Sequence, residues 1–132
     1  MSAVIDTSVL VAFHNSGDER HADARRLMER AGKGEFGRLL LPEYVFDEAV
    51  TLALARSGKE NALRLGEWLL NSGFEFVPSD DAAFKAAWAL FAKSSELSFT
   101  DCFIVAVAAS RGAKMVSFDR HFRGVRGLAL VP

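Results

Sequence analysis

Short apolar runs alternate along this chain with segments whose apolar residues recur at helical spacing. Ala3-Val4-Ile5 reads as a strand, Thr7 to His14 as a short helix, and Asp18 to Ala31 as a longer helix whose stripe is Ala22, Ala24, Leu27, Met28 and Ala31. Gly32, Gly34 and Gly37 break that pattern before a second strand, Leu39-Leu40-Leu41. Pro42 stops the strand and is placed to open a helix at its first position, so a helix is predicted over Pro42 to Ser57. After Gly58 another follows from Lys59 to Asn71, and the apolar residues of this pair fill more than one stripe.

Phe74-Glu75-Phe76-Val77 is a third strand, and Ser79 with Asp80 and Asp81 is a helix start that leads to about Lys93. A polar loop precedes an almost wholly apolar helix from Thr100 to Arg111, closed by Gly112. Lys114-Met115-Val116-Ser117 is a fourth strand and Leu128-Ala129-Leu130-Val131 a fifth. Strands alternating with helices imply right-handed crossovers and an α/β fold, with a mostly parallel sheet of four to five strands covered on both faces. Length and pattern set one domain over residues 1–132.

Composition narrows the function classes. Sixteen Lys and Arg against seventeen Asp and Glu leave a net charge of -1, so an anionic substrate needs a local basic patch or a bound metal. Half the residues are hydrophobic and mean hydropathy is +0.12, enough for a packed core. The lone Cys102 allows no intrachain disulfide and fits a reducing cytoplasm. No apolar stretch reaches the ~18 residues of a membrane span, so a soluble, cytoplasmic protein with no membrane partner is expected.

Four acids stand at the ends of apolar segments. Asp6 follows the first strand, Asp119 follows the fourth, Asp101 starts the core helix, and Glu48 lies in the helix after the second strand, from which its side chain can lean back. In an open parallel sheet all four converge on the crevice beyond the carboxyl ends of the strands. Each alone has a structural explanation: Asp6 as a helix cap, Asp101 as a helix-dipole partner, Asp119 as a turn residue, Glu48 as a solvated side chain rivalled by Asp47. Gathered together they repel one another unless a cation sits among them. Oxygen-only ligation suits Mg²⁺, or Mn²⁺, rather than zinc.

Val4-Ile5-Asp6-Thr7-Ser8, Pro42 to Ala49, Leu97-Ser98-Phe99-Thr100-Asp101-Cys102 and Val116 to Phe122 together resemble the PIN domain and, at this length, the VapC-type toxins of prokaryotic toxin-antitoxin pairs. The resemblance covers essentially the whole chain. It implies a three-layer α/β/α fold and a Mg²⁺- or Mn²⁺-dependent endoribonuclease, commonly a homodimer held inactive by a cognate antitoxin. It makes Asp6, Glu48 and Asp101 the core acidic triad, Asp119 the more variable fourth acid, and Thr7, Ser8 and Thr100 the hydroxyls beside them. Cys102 departs from the small residue common there and reads as packing.

On this reading Asp6 and Asp101 are the central metal ligands, Glu48 and Asp119 are ligands or hold the attacking water, and Thr7, Ser8, Thr100 and Ser117 orient them by hydrogen bonds. Arg120, His121, Arg123 and Arg126 form a candidate RNA-binding patch, with a solvated tail as the alternative. Phe13, Phe84, Trp88, Phe91, Phe99 and Phe103 read as core rather than base-stacking surface. His14 and His21 carry no chemistry on this reading. The apolar helix pair from Pro42 to Asn71 is the expected surface for a second copy or an antitoxin helix.

Three other functions compete. A free-standing PIN nuclease in RNA processing shares the acids, and a non-catalytic scaffold for RNA or protein shares the fold. A haloacid-type phosphatase or phosphoacceptor domain also places an Asp after its first strand, but Ser8 stands where the phosphatase needs a second Asp and the receiver's acidic pair is absent.

Overall fold

A computed structural model describes residues 1–125 and 130–131. The strands β1 (Ser2–Ile5), β2 (Arg38–Pro42), β3 (Glu75–Val77), β4 (Lys114–Val116) and β5 (Leu130–Val131) form one sheet in the order β3-β2-β1-β4-β5. Every pairing is parallel: Val4 stands beside Leu40 on one side and Met115 on the other. Among the described residues six α-helices flank the sheet: α1 (Thr7–His14), α2 (His21–Gly32), α3 (Glu43–Ser57), α4 (Lys59–Asn71), α5 (Asp81–Lys93) and α6 (Phe99–Arg111). The expected α/β/α architecture with a parallel sheet is therefore the observed one.

The order of strands follows from chain direction. From β1 through β2 to β3 the chain steps one way, and from β3 to β4 it crosses back. Right-handed crossovers place α1 to α4 on one face and α5 and α6 on the other. Strand order reverses between β1 and β4, where an open sheet leaves a crevice at its carboxyl end.

β1 is the axis of the core. Ala3, Val4 and Ile5 are buried because this strand is central and covered on both faces. α6 explains its lack of periodicity the same way: Cys102, Phe103, Ile104, Val105, Val107 and Ala108 are all buried. At the other end of the sheet Gly37 enters β2 with φ +73°, and a Cβ there would lie 2.2 Å from the carbonyl oxygen of Met1. Only glycine tolerates both the angle and the approach.

Several boundaries shift for local reasons. Pro42 is not the first residue of α3: it ends β2, and its extended backbone caps the helix. Asp80, not Ser79, caps α5, because the Asp80 carboxylate accepts the Ala83 amide while Ser79 donates to Glu43. α2 begins at His21 rather than Asp18, whose carboxylate holds a turn by accepting the Arg20 amide. Of the fifth strand, residues 128 and 129 lie outside the described residues.

Not all the aromatic residues are core. Phe103 is buried and Phe13 and Phe99 are partly so, but Phe84, Trp88 and Phe91 are among the exposed large hydrophobics. They lie on α5 around the ring of Phe99. The α3–α4 pair exposes Leu54, Leu63 and Leu70 and buries the rest of its apolar stripe in the core or against it. Among the described residues no helix is long and apolar enough to cross a membrane.

Candidate functional site

A crevice of about 260 Å³ opens at the carboxyl end of the sheet, lined by Asp6, Glu48, Asp101 and Asp119 with Thr7, Ser8 and Ser98. All four acids singled out in the sequence reach it. Asp47 does not; it faces solvent.

Asp6 is built in most tightly. Its amide donates to the Val116 carbonyl at 2.9 Å, which ties the end of β1 to β4, and its carbonyl accepts the amides of Val9 and Leu10 to start α1. The side chain makes no cap bond with α1. Instead, Oδ2 accepts hydrogen bonds from Ser117 Oγ at 2.7 Å and Ser8 Oγ at 2.8 Å. The structural alternative for Asp6 thus holds for its backbone and fails for its carboxylate.

Asp6 is 4% exposed and has no ion-pair partner among the described residues. Burial pushes its pKa from 3.8 up to about 6; the Ser117 and Ser8 hydrogen bonds pull it back, while the negative charges of Asp101 and Glu48 add to the rise. The hydroxyl of Ser117 also accepts the Asp119 amide at 2.9 Å, so one buried serine sets the position of two acids.

Asp101 sits in the first turn of α6 in a capping box: its amide donates to Ser98 Oγ, and its Oδ2 accepts the Ser98 amide. Asp119 Oδ1 accepts the His121 amide at 2.9 Å and lies 3.2 Å from His121 Nδ1. The capping and turn readings of these two acids are real, yet each uses one carboxylate oxygen. Among the described residues the other oxygens of Asp6, Asp101 and Asp119 accept no hydrogen bond, and Glu48 has no hydrogen-bond or ion-pair partner.

Thr7 sharpens the picture. It is 2% exposed, lines the crevice, and its hydroxyl has no partner among the described residues. Leaving such a group unpaired costs about 1–3 kcal/mol. Among the described residues no three His, Cys, Asp or Glu side chains form a ready cage for a metal.

Thr100 does not line the crevice; Ser98 takes that place. Arg56 lines it too, and was not singled out in the sequence. The signal was the four-residue ladder Glu48, Leu52, Arg56 along one face of α3, all three of which border the crevice. Arg120 and Arg123 line an adjoining concavity that shares Asp119 with the crevice, and His121 folds back onto Asp119. Arg126 lies outside the described residues.

The remaining candidates are structural. His21 Nδ1 bonds the Ala12 carbonyl at 2.8 Å. His14 packs on Phe13 and Trp68, and burial, with Arg64 nearby, lowers its pKa. Cys102 is buried, and its thiol is pushed up by that burial and by Asp101.

Comparison with known proteins gives a consistent result. A family model described as PIN domain matches residues 3–128. A VapC ribonuclease of Archaeoglobus fulgidus is 31% identical over 126 residues, covering 92% of this chain and 80% of the relative. Among solved structures, Mycobacterium tuberculosis VapC20, a sarcin-ricin loop cleaving toxin, superposes with a TM-score of 0.85 at 25% identity over 98% of this chain and 99% of that one. DNA-bound VapBC of Salmonella typhimurium shares the fold, with a TM-score of 0.76 at 20% identity over 99% and 97% of the two chains.

Proposed function

This chain belongs to the PIN-domain family, and from that premise we propose that it is an endoribonuclease, the toxin of a toxin-antitoxin pair, which hydrolyses RNA phosphodiester bonds at the Asp6 crevice. The observation that carries the reading is the convergence of Asp6, Glu48, Asp101 and Asp119 on one crevice where the buried Asp6 has no protein cation. The likeness to a VapC ribonuclease supports RNA as substrate.

The donor set is all oxygen, so the cofactor proposed is Mg²⁺, with Mn²⁺ as substitute. Asp6 and Asp101 would hold it through the oxygens the protein leaves free. When bound, the cation polarises the scissile phosphate and makes the attacking water more acidic. Ser8 and Ser117 hold the Asp6 carboxylate in one orientation, and the capping box does the same for Asp101. Glu48 and Asp119 complete the ligation or hold the attacking water. Thr7 donates its hydroxyl to whatever oxygen lies above it, and Arg56 offsets negative charge on the phosphate.

The proposed unit is one nuclease domain over residues 1–132, working in a reducing cytoplasm where Cys102 stays a thiol. Its proposed partners are a cognate antitoxin and a second copy of the chain. Exposed Phe84, Trp88 and Phe91 on α5, and Leu54, Leu63 and Leu70 on α3 and α4, offer the apolar surface for them. Sedimentation of the isolated chain is expected to give twice the chain mass; a strict monomer would remove the second copy from the proposal.

The chemistry is tested with Asp101→Asn, which keeps shape and removes charge. The purified variant should stay folded and lose RNA cleavage in Mg²⁺. Cleavage at the parent's rate would sink the assignment.

A further inference from the structure

The crevice does not end at Asp119. It shares that residue with a second concavity lined by Arg20, Phe118, Asp119, Arg120 and Arg123. That one in turn shares Arg20 and Phe118 with a third, of about 370 Å³, lined also by Asp23, Arg26, Leu27 and Arg30 on α2. A chain of net charge -1 thus places five arginines and two acids along a path that starts at its acidic site.

The arginines are set in place. The Arg20 guanidinium lies 4.7 Å from the centre of the Phe118 ring, and Asp23 pairs with both Arg20 and Arg26, leaving an excess of positive charge. Arg26 and Arg30 stand one helical turn apart, roughly 6 Å along α2. Arg30 is paired with Glu35 and covers Phe36. Phe118 falls between Ser117, which holds Asp6, and Asp119, so the acids and the arginine cleft share one loop.

We propose that the α2 cleft is the binding track for one flank of the RNA strand cut at the crevice, with Arg20 and Arg26 on phosphates and the Arg20–Phe118 pair marking the turn toward the acids. Charge complementarity and continuity with the crevice carry the assignment. It rests on the ribonuclease reading of that crevice. Guanidinium groups match phosphate geometry and bind the backbone without regard to sequence, so the cleft supplies affinity and register rather than base choice.

The test measures binding without metal, where no cutting occurs. A fluorescein-labelled single-stranded RNA of about 20 nucleotides is titrated with the full chain in EDTA, between about 50 and 200 mM salt. Arg20→Gln with Arg26→Gln should weaken binding on the order of tenfold and lower the slope of log affinity against log salt by about 1.4, the loss of two phosphate contacts. Arg25→Gln is the control. It removes one positive charge from the same region, half the charge lost in the double variant, but Arg25 pairs with Glu29 and does not line the cleft.

A loss in the Arg25 variant at least half as large on the logarithmic scale would reduce the effect to net charge and overturn the proposal, as would no loss in the double variant. If the double variant kept its RNA affinity but lost binding of poly-L-glutamate, the cleft would belong to an acidic polypeptide instead. The two readings fail separately. A parent that binds RNA through the cleft but cannot cut it refutes the ribonuclease, whereas a parent that cuts RNA and ignores the arginine substitutions refutes the track.

Discussion

Two carboxylates at opposite ends of the same sheet show what separates an acid paired within the protein from one left without a counter-charge. Glu75, at the amino end of β3, receives Arg38 at 2.8 Å from β2 and Arg111 at 2.9 Å from the last turn of α6. Arg111 and Arg38 hold its carboxyl below the usual range. Asp6, at the carboxyl end of β1, is buried with only hydroxyl donors, and its pKa rises to about 6. One acid is complete within the protein. The other has no counter-charge of its own, and it is there that the proposed cation would bind.

The largest effect that sharpens this contrast is on catalysis. Asp101→Asn should lower RNA cleavage by more than about 100-fold, since residues that merely orient metal ligands already account for 10- to 100-fold effects. Loss of charge at Glu75 should do nothing comparable.

The next is on stability, and its sign is opposite to intuition. Because the folded pKa of Asp6 is raised, the neutral acid is favoured in the fold, and stability is lost as pH rises from the unfolded value of 3.8 through about 6. In EDTA near pH 7.5, Asp6→Asn should therefore be more stable than the parent by about 3 kcal/mol, and the gap should close near pH 4. Urea denaturation at the two pH values measures it. A gap independent of pH would mean that Asp6 is not desolvated in solution.

Glu75→Gln is the smallest effect. Its ion pairs are solvent-screened, so the melting temperature should drop by no more than a few degrees and cleavage should match the parent. Here the depressed pKa gives the reverse dependence: the contribution is present above the ordinary value of 4.5 and fades as pH falls below it. A nuclease defect in Glu75→Gln would break the comparison.

Much of this was legible along the chain. α1 and α4 appear at their expected boundaries, α1 starting where the first apolar run ends at Asp6 and α4 starting after the break at Gly58, and the acids at the ends of β1 and β4 follow from parallel topology. The aromatic residues of α5 were not legible. Phe84, Trp88 and Phe91 have the composition of a core, and only the packing of α5 on α6 decides that they face outward. The setting of the α2 arginines was not legible either, since nothing within α2 reveals that Phe118 lies against Arg20 at its start.

The sequence by itself determined the alternation of elements, the parallel sheet and the four acids, because these depend on short-range periodicity and on which residue types end each run. Tertiary structure decided that Asp6 gives its carboxylate to the hydroxyls of Ser8 and of Ser117, 111 residues away, and not to the backbone amides of its own helix. It likewise decided that Arg56 lines the Asp6 crevice, and that the concavity bordered by the α2 arginines shares Arg20 and Phe118 with the one beside Asp119. Burial and charge environment are properties of what surrounds a side chain, and those surroundings come from segments far apart in the chain.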